Sequence, residues 1–219
     1  MGQEIDLMAN YPRPKRNVEE RGATKTDADR ALARKFGEEF FDGDRTHGYG
    51  GFNYQPRFWQ PVIPTFKAHW GLTSDSSVLD VGCAKGFMMH DFAELIPGIT
   101  VKGIDVSEYA VKNSIEDMRP HVDVADAKSL PYEDKSFDYV ISVTTIHNLE
   151  RAELVQSLRE IERVARLGSF ITVDAYRNDE EKERMLAWNL TAKTVLHVDE
   201  WKELFKEAGY SGDYHWFMP

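Results

Sequence analysis

Strand-length apolar runs alternate with amphipathic helical stretches over the last two thirds of the chain. The runs lie at residues 78–81, 100–105, 122–124, 137–143, 169–175 and 214–217. Helical spacing of apolar residues is found at residues 87–95, 107–118, 151–165 and 199–208, with Ser107 as a candidate N-cap and Gly209 ending the last helix. Strands that alternate with helices indicate βαβ units. We therefore predict an α/β fold with a doubly wound, mainly parallel sheet.

The first 76 residues have a different texture. Residues 1–28 are polar and show no apolar period, so we predict a flexible N-terminal arm. Helical spacing follows at residues 31–41 and again at residues 56–70, where Pro61 and Pro64 can break the helix. We predict three parts, namely the arm 1–28, a helical cap with a lid loop 29–72, and an α/β domain 73–219.

Composition narrows the class of protein. The longest apolar runs fall well short of the ~18 residues that span a bilayer, and the polar, acidic N-terminus lacks the pattern of a signal peptide. Cys83 is the only cysteine, so the chain forms no internal disulfide and no multi-cysteine zinc site. No histidine and carboxylate set stands out at metal-ligand spacing, so no metal is implied. These features favour a cytoplasmic protein without a membrane partner.

Charge argues against nucleic acid as a partner. The chain carries a net charge of −10, which repels phosphate backbones unless basic residues cluster on one face. The basic residues are scattered among acids, and the short basic stretch 13–16 falls in the predicted arm. We expect no DNA or RNA partner.

The sharpest chemical signal is the segment Asp80-Val81-Gly82-Cys83-Ala84-Lys85-Gly86. Glycines after a buried strand allow a tight turn and a close approach of ligand to backbone. The spacing differs from the G-x-G-x-x-G of dinucleotide sites, which disfavours a nicotinamide-dependent oxidoreductase. A carboxylate before the turn suits a ligand with an ammonium group. Alone, the segment could also be a plain βα turn.

Two further acids follow at successive strand ends. Asp105 closes the second strand 19 residues after Gly86, where α/β nucleotide sites place an acid that binds ribose hydroxyls. Asp126, followed by Ala127, comes after the third strand and could accept from an adenine amino group. Taken singly, Asp105 could cap a helix and Asp126 could be a solvated loop residue. Together, three acids at three consecutive strand ends predict a nucleoside-containing cofactor.

This pattern resembles the class I S-adenosylmethionine-dependent methyltransferases, from about Ser77 to the C-terminus. The segment 80–86 looks like their first motif, with Ala84 in place of the usual middle glycine, and residues 137–142 and 145–149 are similar to their fourth-strand motif and the segment after it. The resemblance implies a Rossmann-like fold, S-adenosylmethionine as cofactor and methyl transfer. The cofactor-binding residues that it implies are Asp80, Gly82, Cys83, Ala84, Gly86, Asp105, Val106, Asp126 and Ala127.

The end of the chain departs from the family pattern. The family usually closes its sheet with an antiparallel pair of strands, whereas only residues 214–217 read as a strand here. The sheet therefore has six strands, or seven if residues 194–198 supply another.

The methyl acceptor should lie beyond the carboxyl ends of the strands. A hydroxyl acceptor needs a base, and His147 after the fourth strand is our favoured candidate. Packing near the cofactor, or capping of the next helix, is the alternative role. Asp174 is the rival base or orients one. Tyr176 and Arg177 follow it, and Arg177 could hold an anionic acceptor or could pair with nearby acids on the surface.

The glycine- and aromatic-rich loop at residues 45–54 predicts a lid over donor and acceptor, or else an ordinary packed loop. His47, Tyr49 and Arg57 are its candidate substrate-binding residues. The segment 45–52 resembles enzymes from bacterial surface-polysaccharide gene clusters, which points to a sugar, nucleotide-sugar or phosphorylated precursor as acceptor.

The leading hypothesis is an O-methyltransferase for a polar small molecule. Two alternatives stay open, namely N-methylation of an amine, which needs no strong base, and a non-catalytic protein that binds S-adenosylmethionine. The sequence leaves the oligomeric state open, a homodimer included.

Overall fold

Seven strands form one parallel sheet in the computed structural model, which describes residues 2–13, 18, 22 and 25–219. The strands are β1 (Ser77–Val81), β2 (Thr100–Asp105), β3 (Val122–Val124), β4 (Phe137–Val143), β5 (Ala165–Tyr176), β6 (Leu196–His197) and β7 (Asp213–Phe217). The helices are α1 (Asp27–Ala33), α2 (Glu38–Phe41), α3 (Pro56–Trp59), α4 (Ile63–Trp70), α5 (Phe87–Leu95), α6 (Glu108–Lys112), α7 (Arg151–Val164), α8 (Asp179–Trp188) and α9 (Val198–Ala208). The strand order is β3-β2-β1-β4-β5-β6, with β7 also paired to β5. This architecture confirms the predicted Rossmann-like α/β fold.

Helices cover both faces of the sheet. On one face, Leu158 of α7 and Trp201 and Phe205 of α9 are fully buried against the strands. On the other face, Phe66 of α4 and Phe92 of α5 do the same. Each such side chain stabilises the fold by about 1.5–3 kcal/mol, so the strand ends are held on a rigid frame. None of the helices in the described ranges is long and apolar enough to cross a membrane.

Several predicted bounds are confirmed. The strands β2, β3 and β4 and the helix α5 begin and end at the predicted residues. The Ser107 hydroxyl accepts a hydrogen bond from the Ala110 N–H at 3.0 Å and therefore caps α6. Gly209 ends α9 with a φ of 74°, a left-handed conformation that glycine adopts without strain.

Two helix predictions are wrong in extent. The single helix at residues 31–41 is broken, because Phe36 has a φ of 49° and cannot continue a right-handed helix. The helix at residues 107–118 ends at Lys112, where the Ser114 hydroxyl bonds to main-chain carbonyls of the preceding turn. A 3₁₀ helix, Glu116–His121, follows. The break expected near Pro61 is present between α3 and α4.

The C-terminal edge of the sheet departs from the antiparallel pair usual in the family. Both β6 and β7 pair with β5 in the parallel direction. A strand that returns through a single helix starts from the same end of the sheet, and α9 is such a crossover before β7. The segment 194–198 supplies β6, so the sheet has seven strands.

The N-terminal residues extend this edge. The Ile5 N–H donates to the Tyr214 carbonyl at 2.9 Å, and the Tyr214 N–H donates to the Gln3 carbonyl at 3.1 Å. Leu7 and Met8 are buried beneath them. The prediction of a loose arm is therefore wrong for residues 2–13, because apolar side chains and a free strand edge fix this segment. Most of the basic stretch 13–16 lies outside the described residues.

Candidate active site

The carboxyl ends of β1, β2, β4 and β5 border one cavity of about 1340 Å³. Ligand pockets usually measure about 300–1000 Å³, so this volume accommodates a donor and an acceptor together. The predicted site residues that line the cavity are Tyr49, Arg57, Asp80, Gly82, Cys83, Ala84, Asp105, Val106, Asp126, Ala127, His147 and Asp174. Gly86, His47, Tyr176 and Arg177 are outside the lining.

The glycine turn has no room for side chains at its first position. Gly82 has a φ of 87°, and a Cβ there would lie 2.2 Å from the Thr145 Oγ1. Ala84, which replaces the family's middle glycine, also adopts the left-handed conformation, with a φ of 51°. Gly86 starts α5 with a φ of 77°. The turn thus exposes its main chain to the cavity. Gly86 contributes to the conformation of the turn without lining the cavity.

Asp80 is a buried carboxyl at the end of β1. Burial, followed by the charge of Asp105, raises the pKa of Asp80 to about 8. A positively charged group beside it would reverse this shift. The site therefore fits a ligand that brings an ammonium group, as the amino-acid portion of S-adenosylmethionine does.

Asp105 is fixed by the turn that it faces. One carboxylate oxygen accepts the Ala84 N–H and the other accepts the Ser107 N–H, both at 2.8 Å. Burial raises the pKa of Asp105, and these main-chain hydrogen bonds partly offset the effect. A carboxylate accepts about four hydrogen bonds, so acceptor capacity remains for ribose hydroxyls. Val106, 56% exposed, adds apolar surface beside it.

Asp126 and Ala127 form the third edge of the cofactor region. Asp126 accepts the Lys128 N–H at 3.0 Å, and its other oxygen lies 3.3 Å from the Lys128 Nζ. Ala127 packs against the core. Cys83 is inert by contrast, because its thiol is buried towards Gly103 and burial raises its pKa.

His147 and Asp174 meet on the wall formed by β4 and β5. The Asp174 N–H donates to the His147 Nδ1 at 3.0 Å, while the Asp174 carboxylate is 3.4 Å from the same atom. Burial lowers the pKa of His147, and Asp174 partly offsets the effect, so the ring is neutral at pH 7. A neutral ring that accepts at Nδ1 carries its proton on Nε2. This arrangement argues against His147 as the general base and favours Asp174.

The remaining acceptor-site predictions are not brought to the cavity. His47 Nε2 is 3.2 Å from the Asp29 carboxylate within the cap. The Arg177 guanidinium is 3.4 Å from Glu4, and the Arg177 main-chain N–H donates to the Glu181 carboxylate. Tyr176 lies beneath Lys182 instead. His47 therefore contributes to the cap, whereas Tyr176 and Arg177 contribute to the surface. For Arg177, pairing with surface acids was the alternative to an anion-binding role.

One group of potential metal ligands occurs among the described residues. His90, Asp91 and Glu94 place one ligand atom each within 4.8 Å of one another. Each already has a protein partner, namely Asp117, Tyr54 and Gln60 respectively. This network ties α5 to the cap, and we assign it no metal.

Sequence analysis missed several lining residues. Arg34 and Arg45 reach the cavity from the cap, and Trp216 reaches it from β7. The glycine turn also contains Lys85, a buried cation whose side chain contacts the cap. A lysine inside an apolar turn was a usable signal, because a buried ammonium needs a partner.

Comparison with known proteins decides the family. Residues 72–209 match a family model described as a methyltransferase domain. The chain belongs to this methyltransferase family. Its members use S-adenosylmethionine as the methyl donor.

Individual relatives share the domain but differ in their stated roles. The chain is 30% identical over 154 residues to 27-O-demethylrifamycin SV methyltransferase from Amycolatopsis mediterranei, which covers 63% of this chain and 55% of that enzyme. It superimposes on YcgJ from Bacillus subtilis with a TM-score of 0.55 at 18% identity, over 67% of this chain and 66% of that one. The [4+2]-cyclase SpnF gives a TM-score of 0.56 at 25% identity, over 68% and 56%. The chain spans roughly half of the curated relatives that it matches.

Proposed function

We propose that this chain transfers the methyl group of S-adenosylmethionine to a hydroxyl of a polar small molecule. The observation that carries the proposal is one cavity bordered both by the three strand-end acids and by the His147–Asp174 pair. When bound, S-adenosylmethionine supplies a methyl group on a sulfonium that is already a good leaving group. The protein must then align the acceptor, exclude water and remove a proton.

Five of the predicted residues have a proposed role in the cofactor region. The Asp80 carboxylate would bind the ammonium group, and Asp105 would accept from the ribose hydroxyls. Asp126 and Ala127 would border the adenine. Gly82 lets Thr145 pack directly on the turn, because a Cβ there would lie 2.2 Å from the Thr145 Oγ1.

Asp174 is the proposed general base. Its carboxylate lies in the cavity wall and is only 6% exposed, so little water competes for it. His147 holds the Asp174 main chain by accepting its N–H and presents a protonated Nε2 as a donor. The name of the Amycolatopsis relative, which specifies an oxygen, supports an oxygen acceptor.

Cations on the cavity wall indicate the acceptor class. Arg34 and Arg45 donate to main-chain carbonyls, and Arg57 lies 4.9 Å from the Phe58 ring. In the described part of the chain, none of the three forms an ion pair with a carboxylate. Unpaired guanidinium groups in a chain with a net charge of −10 favour an acceptor with a phosphate or carboxylate. Sugar phosphates and nucleotide-sugar precursors of surface polysaccharide satisfy this requirement.

Two other functions remain open to test. An N-methyltransferase would use the same cofactor region without a base. A non-catalytic protein that binds S-adenosylmethionine is the second alternative, since SpnF has the fold and is named as a [4+2]-cyclase and not as a methyltransferase. Cytoplasmic location and a homodimer stay predictions.

Calorimetry with S-adenosylmethionine, followed by methyl transfer to a panel of sugar phosphates and matched amino sugars, tests the proposal. We expect binding and a methylated hydroxyl product. Transfer to the amino sugars alone would assign N-methylation. Binding without any product would support the non-catalytic alternative, and no binding at millimolar ligand would overturn the cofactor assignment.

A further inference from the structure

The loop at residues 42–52, which we call the cap loop, is fastened to the glycine turn by one buried cluster of charges. The Lys85 Nζ donates to the Asp42 carboxylate at 2.6 Å and to the Phe52 carbonyl at 2.9 Å. The Tyr109 hydroxyl donates to the same Asp42 oxygen at 2.7 Å, and the Phe52 N–H donates to the other at 2.9 Å. Asp42 thus joins the cap loop to the glycine turn and to α6.

This cluster is buried at Lys85 and partly exposed at Asp42. The Lys85 side chain is only 8% exposed and that of Asp42 is 26% exposed. Burial opposes the charge on Asp42, but the hydrogen bonds from Lys85, Phe52 and Tyr109 outweigh it and lower the Asp42 pKa. Such enclosed pairs are lost at high cost when one partner is removed, because the other charge is left buried.

The fastening determines where the aromatic side chains of the cap loop lie. The Phe52 ring stacks on Phe87 of α5 at 5.0 Å, and the Tyr49 ring packs on Phe52 at 4.3 Å. Phe52 and Tyr49 both line the cavity. The Tyr49 side chain is 43% exposed and borders the same cavity as the Asp105 carboxylate.

The turn itself is held by neighbouring atoms. The Ala84 N–H, one residue before Lys85, binds Asp105, and the Lys85 carbonyl accepts the Ile115 N–H at 3.0 Å. A change in the position of the turn on cofactor binding would therefore be transmitted to the cap loop through Lys85. The opposite side of the cap is secured separately, since Arg34 donates to the carbonyls of Thr191 and Ala192.

We infer that Lys85 is a positioning residue that uses Asp42 to hold the aromatic cap loop closed over the cofactor region. Its side chain faces the cap and takes no part in the chemistry. The inference rests on the proposed function for what occupies the cavity. It adds that closure of the cap and binding of the cofactor are coupled through one ion pair.

Lys85→Met, Asp42→Asn and the double variant test this coupling, with Lys112→Met on exposed α6 as the matched control. Each single variant should raise the Kd for S-adenosylmethionine at least tenfold, and the double variant should bind no more weakly than the weaker single one. Amide exchange at residues 43–52 should become fast in all three. At saturating cofactor, kcat should stay within a few-fold of wild type. The control should change none of these values.

Thermal unfolding checks that each variant is folded. If Lys85→Met is not folded, Tyr109→Phe provides a milder substitution in the same cluster. A folded Lys85→Met protein with wild-type Kd and wild-type exchange in the cap loop would overturn the inference. If the wild-type protein does not bind the cofactor, the proposed function fails. The exchange rates of the ligand-free proteins would then still decide whether Lys85 holds the loop.

Discussion

The cavity has two regions that are built in different ways. The proposed cofactor region consists of main chain and carboxylates at consecutive strand ends, within residues 80–127. The acceptor region is assembled from side chains far apart in sequence, such as Arg34 of the cap, His147 after β4 and Trp216 of β7. The first region is fixed by the course of the sheet, whereas the second depends on how the cap and the chain ends pack.

This difference has a consequence for substitutions. A site built from main chain fails when the backbone cannot adopt its conformation, and such failures are large. A site built from side chains can lose one contact and keep the rest, so each loss is smaller. Substitutions in the two regions should therefore lower binding affinity by different amounts.

Gly82→Ala should have the largest effect. The added Cβ would lie 2.2 Å from the Thr145 Oγ1 at a φ of 87°. We expect at least a hundredfold loss of S-adenosylmethionine affinity by calorimetry. Gly71→Ala is the matched control, because its φ is 63° but no atom lies within 4 Å of the added Cβ. Both variants lose about 1–2 kcal/mol of stability to backbone strain. Equal binding losses in the two would show that steric exclusion at the turn is unimportant.

Asp174→Asn should have the largest effect on the reaction rate, whereas the effect of Gly82→Ala is on cofactor affinity. Loss of a general base lowers the rate by about 10²–10⁴-fold, and the amide keeps the shape of the side chain. His147→Gln should cost less, on the order of tenfold, because the ring accepts the Asp174 N–H and does not take the proton. Initial rates at saturating S-adenosylmethionine measure both. A reversed order would return the base role to His147.

The predictability of the two regions follows from the range of their contacts. The turn at Gly82 and the acid at Asp105 were predictable from the sequence, because the carboxyl ends of parallel strands meet at one edge of the sheet. Local spacing is therefore enough to place the two together. The hydrogen bond from Arg34 to Thr191 joins residues 157 positions apart, and no local pattern signals it. For the same reason, no local pattern predicted the pairing of Ile5 with Tyr214. The helix break at Phe36 was also not predictable from the sequence, since a bulky residue rarely adopts a positive φ.

Asp80 links affinity to pH and to stability. Its pKa is about 8 in the ligand-free protein, against 3.8 as the ordinary value. Between these values the folded state binds more protons than the unfolded state, so stability falls as pH rises through this window. Asp80→Asn should therefore stabilise the ligand-free protein, by on the order of 5 kcal/mol at pH 8 and by about 1–2 kcal/mol at pH 5. Thermal unfolding at the two pH values measures this.

The same substitution should weaken cofactor binding. The wild-type carboxyl must ionise to bind an ammonium group, so affinity should rise about fivefold from pH 7 to pH 8 and fall again where the ammonium itself deprotonates. Asp80→Asn should lower the affinity about 10–100-fold and remove the rise. A flat wild-type profile would mean that Asp80 does not bind the ammonium group.

Arg34→Gln should affect only the KM for the acceptor, and Arg177→Gln is its control. Arg34 lines the cavity and bonds to two carbonyls, whereas Arg177 pairs with Glu4 and Glu181 on the surface. Loss of one charged hydrogen bond to an anionic acceptor costs about 1–2 kcal/mol, so KM for the acceptor should rise roughly five- to thirtyfold at constant kcat. Arg177→Gln should leave KM unchanged. If KM rose with Arg177→Gln alone, the anion site would be assigned to the end of β5, and the acceptor region would extend to that strand end.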